Sequence, residues 1–266
     1  MKIYEYAYMG DIEGIQYELS QGFPIDYVHK ISENAYVLDQ WASIGAFQNS
    51  RYEPKTALQY ALASPLTGID MIKFLIMQGA SLLLEIVDGQ SDIRWPVRSG
   101  SIEKIKFLVD LGGCLHYNND YSFSALSDAI YSDLEIAKKT ELIQFCIEQR
   151  VKIDVCNDCI KNALNWSANI GDFGIAKILL DAGADASLLG WNNLMEAVVF
   201  GGLDDLEVYL QEDVDLEAID NCGRTAWLFK STGRRSSQSE EALVSRCKFP
   251  CCGRLEAVTN YVYLEV

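Results

Sequence analysis

The chain has 266 residues, 49% of them hydrophobic and 23% charged, with a net charge of −16. This apolar content supports a packed core and excludes global disorder, and no apolar run is long enough to be a membrane-spanning helix. The acidic excess excludes nucleic acid and anionic membranes as natural partners and points to a basic protein.

The opening stretch "MKIYEYAYMGDIEG" lacks the basic start and apolar core of a secretory signal, so a cytoplasmic location is expected. Cys114, Cys146, Cys156, Cys159, Cys222, Cys247, Cys251 and Cys252 are unevenly spread through a chain too long to need disulfide staples. They read as free thiols.

Residues 4–27 form a first unit whose opening helix is expected to be short or atypical, as suits the cap of a repeat array. Its second helix ends at Gly22 in "YELSQGFPID". Residues 28–52 are an excess. Within them "ENAYVLDQWASIGAF" has Val37, Leu38, Trp41 and Ile44 at helical spacing, read as an inserted or remodelled helix, or as the first helix of the second unit. The second unit, 28–87 with this insert, ends its second helix at Gly79 in "FLIMQGASL".

Units then follow at 88–118, 119–155, 156–187 and 188–219. The helix ends recur at Gly112, Arg150, Gly183 and Asp213, so that successive spacings are 57, 33, 38, 33 and 30. A second landmark opens the later units: "TALQYA", "SDIRWP", "SALSDA", "NALNWS", "NNLMEA" and "TAWLFK". Their third residues, Leu58, Ile93, Leu126, Leu164, Leu194 and Trp227, lie 35, 33, 38, 30 and 33 apart. Two independent landmarks thus share one period. Ile102, Ile105, Leu108 and Val109, and again Ile175, Ile178 and Leu179, mark the buried stripes of second helices. The 38-residue unit is expected to carry its extra residues in a long inter-helix loop, "YSDLEIAKKTEL" (131–142). Where Arg150 and Asp213 replace the helix-ending glycine, the turns are expected to differ locally.

The last stretch, 220–266, reads as a degraded capping unit. Its segment 230–254 carries six basic and two acidic side chains, against 16 and 34 in residues 1–229. A basic insertion within that unit, or a change of reading frame, would account for the same composition.

The stretches "DNCGRTAW" (220–227) and "NIGDFGIAKILLDAGAD" (169–185) resemble the ankyrin repeat, with its glycine turn, its Thr-Pro-Leu-His-x-Ala helix start and its Leu-Leu-x-x-Gly-Ala-Asp end. The resemblance covers about residues 4–230. The chain departs from the family at the proline position, which holds Ala57, Asp92, Ala125, Ala163, Asn193 and Ala226. The resemblance implies an all-α, ankyrin-type helical repeat solenoid of six or seven units forming a single domain.

No feature of the sequence points to catalysis. The only histidines, His29 and His116, sit in no nucleophile or metal constellation, and no phosphate-binding glycine loop or nucleophile elbow occurs. "CNDC" (156–159) has the spacing of half a zinc site. It falls on a predicted turn, where burial alone explains cysteine, so neither metal nor cofactor is expected. Tyr60, Trp95 and Trp166 fall on first-helix core positions.

By the same resemblance, the binding surface lies on exposed turn tips and late first-helix positions. The turn positions are Asp120, Tyr121, Phe123, Asp158, Lys161, Leu188, Trp191, Asn221 and Arg224. The helix positions are Arg98, Tyr131, Asn169, Val199 and Phe200. Tyr121, Phe123, Tyr131, Trp191 and Phe200 are the expected anchors, because exposed aromatics are costly to leave wet. The expected function is protein binding by a chain that is monomeric before complex formation. A dedicated inhibitor, such as a bacterial immunity protein neutralising a basic toxin, is one form of it; a scaffold, adaptor or host-directed effector is the other.

Overall fold

The landmark that recurs along the sequence is a helix start. The computed structural model describes residues 2–28, 55–84, 91–117, 124–154, 162–202, 206, 209, 215–226 and 228–229. In it the landmark's first residue caps a helix in four copies, and the third residue is driven into the core in five. Thr56 Oγ1 accepts the Gln59 N–H at 3.3 Å, Ser124 Oγ that of Ser127 at 3.3 Å, Asn162 Oδ1 that of Asn165 at 2.9 Å and Asn192 Oδ1 that of Met195 at 2.9 Å. Each cap satisfies an otherwise orphaned donor and contributes about 1 kcal/mol. Leu58, Ile93, Leu126, Leu164 and Leu194 are at most 1% exposed. Each such burial contributes roughly 1.5–3 kcal/mol.

The helices are α1 (Ile3–Met9), α2 (Ile12–Ser20), α3 (Ala57–Ala63), α4 (Ile69–Met77), α5 (Arg94–Ser99), α6 (Ile102–Asp110), α7 (Ala125–Ile130), α8 (Ile136–Glu148), α9 (Ala163–Asn169), α10 (Phe173–Asp181) and α11 (Asn193–Phe200). Among the described residues there is no strand, only an isolated bridge between Ile219 and Thr225. The fold is all-α, as the sequence predicts.

The chain divides into two compact units, Met1–Ala168 with Gly174–Asp185, and Asn169–Phe173 with Ala186–Val266. In the first, α1 packs on α2, α3 on α4, α5 on α6 and α7 on α8, while the first helices form a row in which α1 meets α3, α3 meets α5 and α5 meets α7. Short helix pairs of this kind cannot bury their own apolar faces, and stacking supplies the core. Small side-chain bridges tie one repeat to the next. The Asp26 carboxylate accepts from Ser81 N at 2.9 Å and Ser81 Oγ at 2.5 Å, and Gln59 Nε2 donates to Asp92 Oδ1 at 2.9 Å. On the second helices, Lys73 lies 5.8 Å from the Phe107 ring centroid and Lys106 5.5 Å from that of Phe145. The repeated "IKFL" of 72–75 and 105–108 places each lysine over the aromatic ring of the following unit.

Several expectations are corrected. Helix α1 is not short: its seven residues equal those of α3 and α9. The first helix of the second unit is α3, because α3 is the one that packs on α1; the segment 34–48 and the tail 230–254 lie outside the described residues. The extra residues of the 38-residue unit extend a helix rather than a loop. Helix α8 begins at Ile136 and has 13 residues, against nine in α2, α4, α6 and α10. Lys139, Leu142 and Ile143 are buried along one face of this longer helix, while Ile136 at its start is exposed.

Arg150 does not change its turn. It takes φ 58°, left-handed like Gly22, Gly79, Gly112 and Gly183, and keeps their hydrogen bonds, with Arg150 N donating to Ile147 O at 2.8 Å and Val151 N to Cys146 O at 3.0 Å. The turn between the paired helices varies more: Tyr131 ends α7 in the right-handed helical region and Gly201 ends α11 in an extended one. Gly10 and Gly100 end α1 and α5 in the left-handed region, but Ser64 ends α3 in an extended conformation ahead of Pro65. The carbonyls left by α3 are taken up by the next repeat. Lys104, 1% exposed, donates from Nζ to Ala61 O at 2.8 Å, Ser64 O at 2.6 Å and Thr67 Oγ1 at 3.0 Å.

Candidate protein-binding surface

The first-helix layer is less open than the repeat pattern implies. None of the residues of α3, α5 or α7 is fully exposed. At the late position of α5, Arg98 shows only 9% of its side chain and pairs with Asp128 through Nη1 at 3.7 Å. Asp128 is itself completely buried and holds Arg94 in a two-point pair, Nε at 2.9 Å and Nη2 at 3.1 Å, while the Tyr117 hydroxyl donates to it at 2.9 Å. Burial lowers the Arg98 guanidinium from its usual range. Burial, then the Asp128 charge, pushes the Tyr117 hydroxyl well above its usual range. Arg98 is therefore a member of a buried charge cluster and not an exposed contact. The sequence signal for this cluster was the appearance of Asp128 at the landmark's fifth position, where other repeats carry Tyr60, Trp95 and Trp166.

Tyr131 caps α7 and is half-buried, with its ring 4.5 Å edge-on from Trp166. Burial raises its hydroxyl above the ordinary tyrosine range. Trp166, expected in the core, is half-buried at the other side of this contact. Tyr60 and Trp95 are core residues, 6% exposed each.

In the second compact unit, Leu194, Met195, Ala197, Val199, Leu206, Ala226 and Phe229 form a buried core. Val199 is 5% exposed and is thus a core residue, not a surface contact. Trp191 does not stand out from its turn. Its ring lies 6.1 Å from Phe173, 5.8 Å from Phe200 and 4.9 Å from Phe229, and the residue is half-buried. Its indole N–H is buried without a hydrogen-bond acceptor. Such an orphaned donor costs about 1–3 kcal/mol. Phe200 is half-buried in the same aromatic group. Phe229, which arrives from a later segment, closes over the tryptophan, and Phe200 packs against the tryptophan in turn.

The turn beside this group keeps an open edge. Asn221 is exposed; its Nδ2 donates to Leu188 O at 2.9 Å and its N–H to Leu189 O at 3.2 Å, which leaves Leu188 half-buried. Arg224 is half-buried, paired with Asp220 at 2.7 Å and stacked 4.7 Å from the Phe229 ring centroid. Asn169 is half-buried and accepts from the Cys222 thiol at 3.0 Å. Asp120, Tyr121, Phe123, Asp158 and Lys161 lie outside the described residues, as does "CNDC". Among the described residues, no group of three or more His, Cys, Asp and Glu side chains could hold a metal, and no helix is long and apolar enough to cross a membrane. Cys146 is buried, and burial pushes its thiol up to about 12.

No family model and no curated protein matches the chain. Among solved structures it is similar to the ankyrin repeat domain of human ASB11, with 17% identity, 94% of this chain and 99% of that chain covered, and a TM-score of 0.52. This is an ankyrin-repeat fold. Its glycine-ended second helices and capped first helices recur along the chain, which departs from its own pattern at Ser64, Lys104, Asp128 and Arg150.

Proposed function

We propose that this ankyrin-fold chain acts by occupying a basic protein, and that it is a dedicated inhibitor such as an immunity protein that neutralises a toxin in the cytoplasm. It would act as a monomer before complex formation, without cofactor or catalytic step. The observation that carries the reading is the net charge of −16 on a repeat fold. A surface of this sign accelerates encounter with a basic partner, and the acceleration weakens with salt. In this reading the turn tips make the contacts: Tyr121 and Phe123 in the first unit, and Leu188 and Asn221 in the second.

The test is affinity purification of the full chain from its native host with identification by mass spectrometry, followed by reconstitution. The expected result is one basic partner, bound at equal stoichiometry and inactivated, with an association rate that falls as salt rises. Several partners of modest affinity that keep their activities would replace this reading with a scaffold or adaptor.

A further inference from the structure

In the first compact unit, the turns that join each first helix to its second abut one another in an unbroken row. Ser64 Oγ donates to Tyr8 O at 2.6 Å, and Gly10 faces Thr67 Cγ2, with 3.5 Å between that carbon and a Cβ placed on the glycine. Ser99 Oγ donates to Leu62 O at 3.4 Å, and Lys104 reaches Ala61, Ser64 and Thr67. Leu134 closes on Gly100, where a Cβ would lie 2.7 Å from Leu134 Cδ1. The four turns therefore make one edge.

That edge combines exposed apolar side chains with acids of one sign. Met9 is 56% exposed, Leu66 65% and Ile136 55%. Beside them stand Asp11, Glu13, Asp70, Glu103, Asp133 and Glu135, all exposed, and Lys138 is the one exposed lysine among the described residues of these turns. Of the other exposed lysines on the second helices of this unit, Lys73 and Lys106 lie over the rings of Phe107 and Phe145, and Lys177 pairs with Asp181 at 3.9 Å. Acids at helix N-termini are favoured by the backbone dipole, which accounts for the carboxylates. It does not account for Met9, Leu66 and Ile136, which stand on the same turns as the acids in three separate repeats.

We propose that this edge is a second docking surface, distinct from the turn tips, and that it takes a basic protein segment carrying apolar residues. The charge complement fixes the partner's sign, and Met9, Leu66 and Ile136 supply its apolar contacts.

The probe is a fluorescein-labelled peptide of about 14 leucine and lysine residues patterned as an amphipathic helix, titrated with the full chain by anisotropy at about 0.15 M salt. A peptide of equal charge with serine in place of leucine is the control. The leucine peptide is expected to bind at least about tenfold more tightly than the serine peptide. Met9→Ser with Leu66→Ser should weaken it about tenfold, and Asp70→Lys with Glu103→Lys and Glu135→Lys should weaken it at least as much and slow association. Asp110→Lys with Glu148→Lys, at the far ends of α6 and α8, should change it less than about twofold, with thermal melts confirming that each variant folds. Equal binding of the serine peptide, equal loss from the far-end reversal, or no loss from the edge variants would each overturn the proposal. None of these substitutions touches the turn tips, so the edge can fail while the inhibitor reading stands.

Discussion

The repeat contains two kinds of turn, and both occur without glycine among the described residues: the turn after the second helix at Arg150, and the turn between paired helices at Ser64 and at Tyr131. Arg150 and Ser64 solve the loss in opposite ways. After α8, Arg150 adopts the left-handed conformation itself, and the backbone hydrogen bonds of the glycine turns are kept. After α3, Ser64 abandons that conformation, and Lys104 of the next repeat donates to the buried carbonyls at the helix end. In the first case strain stays inside one residue. In the second a backbone requirement has become a tertiary contact, so its cost is paid forty residues later by a lysine in the core. The second arrangement is the more fragile, because its partner groups are buried and have no water to replace the lysine.

The largest expected effect follows from that. Lys104→Met keeps the side-chain volume but removes three hydrogen bonds and takes from the Ser64 carbonyl its lysine donor, while the Ala61 carbonyl keeps the Thr67 hydroxyl at 2.7 Å. A loss of about 2–5 kcal/mol is expected, read by denaturant unfolding. The same variant tests the titration of the lysine. Burial lowers the Lys104 ammonium from 10.5 to about 8. Between these values the unfolded chain binds the proton and the folded chain does not, so stability should rise as pH increases from about 8 to 10.5. Lys104→Met should lack that part of the rise. An identical pH profile in both proteins, or a fully stable variant, would mean that the α3 carbonyls do not depend on the lysine.

The glycine turns give the next effects in size. Gly100→Ala must hold φ 70° and also push Leu134 aside, because its Cβ would lie 2.7 Å from that side chain. A loss of about 2–3 kcal/mol is expected. Gly79→Ala, at φ 89° with nothing within 4 Å, carries the backbone strain alone and should lose about 1 kcal/mol. Thermal melts of the two variants separate packing from backbone strain. Equal losses would show that Leu134 yields without cost.

The fold was legible because its signals are local and repeated. A capping Ser, Thr or Asn, a leucine two residues on, and a left-handed turn after the second helix need no tertiary knowledge, and they recur near one period. The departures were less legible because each depends on a second segment. Lys104 stands eight residues before its turn glycine, the slot held elsewhere by Met71, Leu142 and Ile175, all buried. The sequence therefore marked it as a lysine in the core, but its acceptors lie in the preceding repeat, where Pro65 has displaced the usual turn. The candidate surface failed in the same way. Trp191 sits on a turn that the repeat pattern exposes, and it is covered by Phe173, Phe200 and the ring of Phe229, 38 residues later. Arg98 points where a contact residue is expected, and Asp128 on the following first helix draws it inward.

The smallest effect is the sharpest test of the contrast. If strain at the α8 turn is confined to Arg150, then removing the side chain should release it without disturbing any neighbour. A non-glycine residue in the left-handed region costs about 1–2 kcal/mol. Glycine gives back part of this through the greater freedom of the unfolded chain, about 0.5–1 kcal/mol. Arg150→Gly is therefore expected to stabilise the protein by about 0.5–1 kcal/mol, measured as a shift in the denaturant midpoint at unchanged slope. Arg150 is exposed, so little packing is lost with its side chain. A loss of stability in Arg150→Gly would show that the arginine is itself held by a contact, as Lys104 is, and the two turns would then differ in degree and not in kind. A gain confined to Arg150→Gly, beside losses in Gly79→Ala and Lys104→Met, would establish that one turn stores its strain and the other hands it on.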